Sequence, residues 1–222
     1  MKLGVLFSGG KDSAYAALLA KRAGHSLSCF LSIQSKNENS FMFHTPAIEL
    51  TKKQAGLCGV PFLLRETEGR KELELMDLEE LIKDAIKRYK IEGIVTGAVE
   101  SVYQASRIQE ICNNLGIECF NPLWQMDQWE LLDKLIKEGF DIIIVGVFAY
   151  PFDDKMIGRK IDKSFLDELR VVHKKLGINP AGEGGEFESL VVNCPLFSKE
   201  LSIKEIKAVG EGHSWRGEVL LG

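Results

Sequence analysis

Six residues near the amino terminus combine the groups that bind a phosphate. Residues 8–13, the phosphate loop, read Ser-Gly-Gly-Lys-Asp-Ser and come directly after the apolar run 3–7. A Gly-Gly pair lets the backbone turn tightly and approach an anion, and a following helix directs free N–H groups and its positive end toward it. Lys11 supplies a positive charge, and Ser8 and Ser13 supply hydroxyl donors. The stretch therefore predicts a phosphate-binding site between a strand and a helix.

The spacing of the phosphate loop separates it from the Walker A loop of kinases and GTPases. The Walker A pattern has Gly six residues before its Lys and Ser or Thr directly after it, whereas this chain has Val5 and Asp12 there. A Gly-rich turn with a capped helix is the alternative explanation. Lys11 argues against it, because the helix dipole opposes a cation at this end and a bound triphosphate would more than offset that cost.

A second candidate site lies far along the chain. Residues 182–189, the acidic loop, place the carboxylates Glu183, Glu186 and Glu188 among three glycines before an apolar strand. Carboxylates so close together repel one another unless a cation lies among them, such as Mg²⁺, ammonium or a positively charged substrate. A solvated acidic turn is the alternative. The glycines favour a built site, because glycine is costly unless a turn or a close approach requires it.

A third candidate site follows a predicted strand end at Gly97. The helix after it carries Tyr103, Gln104 and Arg107. A guanidinium binds a carboxylate or a phosphate with two parallel hydrogen bonds. The alternative is an arginine on a solvated helix face, which contributes little.

The elements that must position these residues alternate along the chain. Apolar runs predict strands at 3–7, 27–33, 60–64, 93–99, 117–120 and 141–148, and helical periodicity or capping patterns lie between them at 12–23, 45–57, 77–89, 101–115 and 127–138. This alternation predicts an α/β fold with a doubly wound, Rossmann-like parallel sheet. Such sheets bind ligands beyond the carboxyl ends of their strands. Ser32 and Gly97 lie at two of those ends, so we expect them to join the phosphate loop in binding a nucleotide.

The pattern changes after residue 150. A polar connector, a helix at 162–176 and short strands at 189–193, 206–209 and 218–221 predict a smaller α+β domain. We therefore predict a nucleotide domain at 1–140 and a substrate domain at 141–222. Because the phosphate loop and the acidic loop fall in different predicted domains, we expect the active site in a cleft between them.

Composition excludes several classes of protein. The net charge of −4 shows no basic excess, so nucleic acid is not an expected partner. The longest apolar run, 142–150, is far shorter than the ~20 residues of a membrane span, and no signal peptide is evident, so we expect a cytoplasmic protein. The five cysteines form no C-x-x-C pair, and neither a disulfide framework nor a zinc or iron–sulfur site is suggested.

Six motifs taken together resemble the diphthine–ammonia ligase family of the N-type ATP pyrophosphatase superfamily. They are SGGKDS at 8–13, SFMFHTP at 40–46, GAVESVYQASR at 97–107, LWQ at 123–125, GEGGEFES at 182–189 and NCPLF at 193–197. The first motif alone is typical only of the superfamily. Two positions depart from the family pattern: Ala105 stands where Arg is usual, and Phe187 where Tyr is usual.

The resemblance implies a fold of the adenine nucleotide alpha hydrolase type and an ATP-dependent amidation. Family members adenylylate the carboxylate of diphthine, a modified histidine of translation elongation factor 2, and ammonia then displaces AMP. ATP and Mg²⁺ are the implied cofactors, and elongation factor 2 and ammonium are the implied partners. Carried onto this chain, the nucleotide would contact Ser8, Gly9, Gly10, Lys11, Asp12, Ser13, Ser32 and Gly97.

The same resemblance suggests roles for individual side chains. Lys11, Asp12 and Glu186 are the catalytic candidates, with Asp12 also nearest to Mg²⁺ and Glu186 positioning ammonium. Diphthine carries a quaternary ammonium that the carboxylates of the acidic loop can attract and that the Phe187 ring can face. The predicted substrate contacts are Tyr103, Gln104, Arg107, Glu183, Gly184, Gly185, Glu186 and Glu188.

Two other functions fit the same residues. One is a pyrophosphatase-type enzyme that adenylylates a different acid or a tRNA base. The other is a nucleotide-binding sensor without catalysis, which the presence of Lys11, Asp12 and the acidic loop disfavours. The source of ammonia and the oligomeric state stay open, with a homodimer as one option.

Overall fold

The computed structural model describes residues 1–35, 48–68 and 71–222. These residues divide into two compact units, Met1–Trp124 and Gln125–Gly222. The motif at 40–46 and the predicted helix start at Thr45 and Pro46 lie outside the described residues. Within the described ranges, no helix is both long enough and apolar enough to cross a membrane.

The first unit is built on one parallel sheet with helices between its strands. Five strands pair in the order β3-β2-β1-β4-β5, all parallel. This confirms the predicted doubly wound α/β fold. The strands are β1 (Lys2–Leu6), β2 (Ser26–Ser35), β3 (Phe62–Thr67), β4 (Gly93–Val95) and β5 (Glu118–Phe120), and the helices are α1 (Lys11–Arg22), α2 (Ile48–Cys58), α3 (Lys71–Tyr89) and α4 (Val102–Leu115).

The strand order sets where a ligand can bind in the first unit. The chain runs outward from β1 through β2 to β3, and then crosses back to place β4 on the other side of β1. The connections after β1 and β4 therefore leave neighbouring strand ends in opposite directions, and this opens a crevice at the carboxyl edge of the sheet. The phosphate loop follows β1, and Gly97 follows β4.

Helix α3 is longer than its sequence pattern suggests. The Asp-Leu-Glu-Glu pattern predicts a capped start at Asp77, but the helix already begins at Lys71. Asp77 lies inside the helix, and its Oδ1 accepts a hydrogen bond of 3.2 Å from Arg65 Nε of β3. The apolar stripe that follows packs on the sheet as predicted, with Leu78 and Ile82 fully buried in the cluster that also contains Ile94 of β4.

The second unit is built on an antiparallel sheet. Four strands pair in the order β7-β6-β9-β8, with β6 between β7 and β9. The elements are α5 (Gln128–Lys137), β6 (Asp141–Val147), a single 3₁₀ turn (Asp154–Met156), α6 (Lys163–Leu176), β7 (Phe187–Asn193), β8 (Ile203–Glu211) and β9 (Ser214–Leu221).

The boundary between the units differs from the predicted one. It follows Trp124, so α5 belongs to the second unit rather than to the first. The sixth predicted strand, β6, also lies outside the parallel sheet and pairs with antiparallel neighbours. Six of its seven residues are buried. A strand covered on both faces is apolar throughout in either kind of sheet, so the run 141–148 did not reveal its partners.

Candidate active site

The phosphate loop folds back onto the first turn of α1. Ser8 N donates to Ser13 Oγ at 3.2 Å, the two serine hydroxyl oxygens lie 3.1 Å apart, and Ser13 Oγ donates to Gly10 O at 3.1 Å. Gly10 is the N-cap of α1 and provides no side-chain cap. The loop is therefore held in shape by its own hydroxyl groups, and α1 begins without a side-chain acceptor at its N-cap.

Lys11 and Asp12 form an ion pair at the start of α1. Lys11 is 3% exposed, and its Nζ donates to Asp12 Oδ2 at 2.9 Å. The other carboxylate oxygen, Oδ1, is buried and has no hydrogen-bond partner among the described residues. A buried, unpartnered carboxylate oxygen is costly in a finished site. It is therefore well suited to accept a ligand, and a cation is the natural complement to its charge.

Two polar residues of α2, neither of them predicted from the sequence, lie against the phosphate loop. Gln54 is fully buried and its Nε2 donates to Gly9 O at 3.0 Å, while Thr51 is 1% exposed. Gly9 has φ of +81°, and a Cβ there would overlap the Gln54 amide and lie 3.3 Å from Thr51 Oγ1. Only glycine fits this position. The available signal was the spacing of Thr51 and Gln54, which share one face with Leu50 and Ala55 in an otherwise apolar stripe.

Ser32 and Gly97 approach the loop in different ways. Ser32 is 5% exposed and its Oγ donates to Phe7 O, so this hydroxyl joins β2 to the end of β1. A Cβ at Gly97 would lie 2.7 Å from Ser13 N. The connection after β4 therefore passes directly against the first turn of α1.

The start of α4 carries the residues that were predicted to contact the substrate. Ser101 caps the helix by accepting a 3.3 Å hydrogen bond from Gln104 N. Tyr103 and Gln104 are half-buried. Arg107 Nη1 lies 3.1 Å from Glu110 Oε2, and its guanidinium carbon lies 5.7 Å from the centre of the Tyr103 ring. Arg107 thus already has a carboxylate on its own helix, and an incoming anion would compete with that contact.

In the second unit, the acidic loop wraps around one of its own carboxylates. Glu186 is 8% exposed. Its Oε1 accepts hydrogen bonds of 2.9 Å from both Asn179 N and Asn179 Nδ2, and its Oε2 accepts one of 2.9 Å from Gly184 N. The carboxylate that the sequence suggested for ammonium is therefore surrounded by donors of the protein. Glu183 and Glu188 are half-buried.

Gly184 of the acidic loop is required by this wrapping. A Cβ at Gly184 would lie 2.6 Å from Asn179 Nδ2 and 2.7 Å from Glu186 Oε1. Phe187, in contrast, is a core residue: it is 5% exposed and packs edge-to-face against Phe152 and Phe165, with ring centres 6.2 and 6.1 Å away. Two aromatic side chains of the same unit therefore contact this ring, and its contact with a cation stays a prediction.

The described residues contain no cluster of three or more His, Cys, Asp or Glu side chains placed to hold a metal ion. All five cysteines are free thiols. Burial raises the pKa of Cys29 to about 12 and that of Cys194 to about 11, so both stay protonated at neutral pH.

The first unit defines a class of protein: a doubly wound α/β domain with a glycine-rich loop and a buried lysine at its switch point. Comparison with known families is more specific. Residues 1–119 match the Diphthamide synthase N-terminal domain, and residues 127–218 match the Diphthamide synthase C-terminal domain. The chain belongs to the diphthamide synthase family. The two matched ranges meet where the compact units meet, between residues 119 and 127.

Individual relatives agree with this assignment. The diphthine–ammonia ligase of Bos taurus is 31% identical over 230 residues, which cover 94% of this chain and 85% of that protein. The human protein of the same name gives the same values. The diphthine–ammonia ligase of Schizosaccharomyces pombe is 31% identical over 226 residues, and the match covers 94% of this chain and 37% of the yeast protein. The chain thus spans most of the vertebrate relatives and about a third of the yeast one.

Proposed function

We propose that this protein is a diphthine–ammonia ligase that uses ATP to convert the diphthine carboxylate of elongation factor 2 into an amide. The carboxylate attacks the α-phosphate of ATP to give an acyl adenylate and pyrophosphate, and ammonia then displaces AMP. The observation that carries the proposal is the match of both units to one family, together with relatives of that name over nearly the whole chain.

The phosphate loop is the proposed binding site for the ATP phosphates. Lys11 is buried and positively charged beside the N-terminus of α1, so it adds charge to the anion site that the helix dipole already favours. A bound phosphate would draw Lys11 Nζ from Asp12, with which it pairs at 2.9 Å. Gly97 would border the nucleotide, and Ser32 would keep the end of β1 in place through its bond to Phe7 O.

Asp12 is the proposed magnesium ligand. The residue fits this role because Oδ1 is a buried carboxylate oxygen with no hydrogen-bond partner among the described residues, and hard cations prefer such oxygens. When bound, Mg²⁺ neutralises charge on the phosphate oxygens. Asp12 itself would hold the start of α1 and Lys11 in register with the nucleotide.

The acceptor contacts are proposed on α4 and on the acidic loop. Tyr103, Gln104 and Arg107 would contact the substrate from the first turns of α4, and Glu183 and Glu188 would attract the quaternary ammonium of diphthine or incoming ammonium. Glu186 would act by shaping the loop, because three N–H groups already occupy its carboxylate. Gly184 and Gly185 would allow close approach of the acceptor. The partner would be elongation factor 2 in the cytoplasm.

A mass-spectrometric assay tests this function directly. Purified protein is incubated with diphthine-bearing elongation factor 2, ATP, Mg²⁺ and ammonium, and the modified histidine is examined for carboxyl-to-amide conversion while AMP and pyrophosphate are measured. We expect all three products with the wild type and a strongly reduced yield of each with Lys11→Ala. If AMP formation depends instead on another acid or on tRNA, that molecule and not diphthine is the substrate. No AMP with any acceptor would remove the ligase proposal altogether.

A further inference from the structure

A buried glutamine at the start of α5 is linked to the acidic loop. Gln128 is 7% exposed, its Oε1 accepts a 2.9 Å hydrogen bond from Ala181 N, and its Nε2 lies 3.4 Å from Asn179 Oδ1. Asn179 in turn donates its backbone N–H and its side-chain NH₂ to Glu186 Oε1, both at 2.9 Å. All four residues lie in the second unit. Two side-chain amides therefore connect the helix to the carboxylate around which the loop folds.

The hydrogen-bond direction in this chain of amides is fixed at both ends. An ionised carboxylate only accepts hydrogen bonds, so Asn179 must turn its NH₂ toward Glu186 and its oxygen toward Gln128. Gln128 must then donate with its NH₂. Its own oxygen is fixed in turn, because the backbone N–H of Ala181 only donates. A side chain of the same shape that cannot donate at this point would place two acceptors face to face.

We propose that Gln128 and Asn179 are positioning residues for the amidation step. They hold Glu186, and through it the backbone of Gly184, in the conformation that presents the acidic loop to the acceptor. This role rests on the proposed function, since the loop serves the acceptor only if the protein amidates diphthine. Both residues act through Glu186 rather than on the reacting atoms.

Gln128→Glu tests the direction of this chain of amides. When the new carboxyl is ionised, it presents only acceptors to Asn179 Oδ1, and the hydrogen bond between the two side chains is lost. When the carboxyl is protonated, its O–H donates to Asn179 Oδ1 and its other oxygen still accepts from Ala181 N. Burial and the facing acceptor raise the pKa of the new carboxyl in the folded state above its unfolded value of about 4.3. The link is thus present at low pH and lost as pH rises through the raised pKa.

The anionic groups around residue 128 also raise the pKa of a carboxyl placed there. Glu186 is the anion at the far end of the chain of amides, and Asp127 precedes the site, so both raise the pKa of a new carboxyl. Two side chains of α6 lie near the neighbouring Trp129: the Arg170 guanidinium carbon is 4.4 Å from its ring centre, and the His173 ring centre is 5.5 Å away. The positive charge of Arg170 opposes this effect. The other ionisable side chains on the first two turns of α5 are Glu130, Asp133 and Lys134.

Two further variants serve as controls. Gln128→Met keeps the length of the side chain but removes both hydrogen bonds, so its defect should not vary with pH. Gln109→Glu makes the same chemical change in an exposed pair, where Gln109 Nε2 donates to Asn113 Oδ1 at 2.9 Å on α4. Water can replace that bond, and we expect no change in amidation or stability.

The measurements are amidation rate, ATP affinity and amide hydrogen exchange, each as a ratio to the wild type between about pH 5.5 and pH 8.5. We expect Gln128→Glu to lose roughly tenfold in amidation at high pH, with ATP affinity unchanged, and to recover toward low pH. Exchange of the Asn179 and Gly184 amides should speed up at high pH in the same variant. Gln128→Met should lose a similar factor at every pH.

Each other outcome has a defined meaning. Wild-type rates in Gln128→Glu at every pH, or equal losses of amidation and ATP affinity, would overturn the positioning role. A pH-independent defect in Gln128→Glu that matches the defect of Gln128→Met would also overturn the positioning role, because the direction of the hydrogen bond to Asn179 would then not matter. If the wild type forms no diphthamide, the proposed function fails, while the exchange comparison still decides whether the amides hold the loop.

Discussion

Replacing Glu186 by Gln distinguishes a positioning carboxylate from a catalytic base. The variant keeps the shape of the side chain, and its oxygen can still accept both hydrogen bonds from Asn179. Its NH₂ group must then face Gly184 N, where Glu186 Oε2 accepts a 2.9 Å hydrogen bond in the wild type. A donor thus meets a donor, and one charge-assisted hydrogen bond is lost.

The size of this loss follows from the contacts. A hydrogen bond to a charged group contributes about 1.5–3 kcal/mol. If the loop must keep its wild-type shape for amide formation, the rate falls by roughly 10- to 150-fold, since about 1.4 kcal/mol corresponds to tenfold. The same loss should lower the midpoint of thermal unfolding by about 3–12 °C. Loss of a general base would instead lower the rate by about 10²–10⁴-fold.

The assay combines ATP affinity by calorimetry, amide formation by mass spectrometry and the unfolding midpoint. We expect unchanged ATP affinity, a rate reduced within the smaller range and a lower midpoint. Glu211→Gln, which removes an exposed carboxylate at the end of β8, controls for the change in net charge. A rate reduced a thousandfold with an unchanged midpoint would refute the positioning argument and assign the carboxylate a chemical role. Equal loss of ATP affinity would mean that the loop only supports the fold.

Four further predictions concern the first unit. Lys11→Ala should weaken ATP binding at least about tenfold, because it removes a buried cation beside the phosphates and leaves Asp12 without its partner; unchanged binding by calorimetry would contradict the nucleotide assignment. Gly97→Ala should cost about 1–3 kcal/mol in urea unfolding, since the added Cβ would lie 2.7 Å from Ser13 N; a wild-type midpoint would contradict this close approach. Elemental analysis of protein freed of nucleotide should find no equivalent of zinc or iron, and one equivalent of either would be inconsistent with Asp12 as a ligand of nucleotide-bound Mg²⁺ only. The raised pKa of Cys29, about 12 against an ordinary thiol value of 9.0, contributes stability that is present below pH 9 and lost as pH rises toward 12; rapid alkylation of this thiol in the native protein at pH 9 would contradict its burial.

The parallel fold and the phosphate loop could be predicted because their signals are local. An apolar run, a Gly-Gly-Lys turn and a helical pattern within about twenty residues fix a strand, a loop and a helix in that order. The same alternation continues through β5, so the sheet follows from periodicity. The boundary between the units could not be predicted in this way. The partners of β6 are β7 and β9, far along the chain, and nothing in its apolar run distinguishes them from a parallel neighbour.

The sites were harder to predict than the fold, because burial selects among residues that look alike in sequence. Three carboxylates share the acidic loop, and Glu186 is the most buried of them, held by Asn179 and Gly184. On α2 and α5, the buried glutamines Gln54 and Gln128 each interrupt an apolar face. Each hydrogen-bonds to a backbone group of a glycine-rich loop or its flank, at Gly9 O and at Ala181 N. A glutamine on an otherwise apolar helix face was therefore the sequence feature that could have predicted these contacts with the loops.

The two glycine-rich loops both gather backbone N–H groups, but they differ in whether the protein itself supplies the anion. In each, small residues bring backbone N–H groups together, and such groups attract an anion. In the acidic loop the protein supplies that anion itself, since the Glu186 carboxylate accepts from Asn179 N and Gly184 N. In the phosphate loop, α1 begins at Gly10 without a side-chain cap, and the nearest carboxylate, Asp12, pairs with Lys11 instead. An external phosphate therefore suits the first loop, whereas the N–H groups of the second are already occupied by the Glu186 carboxylate.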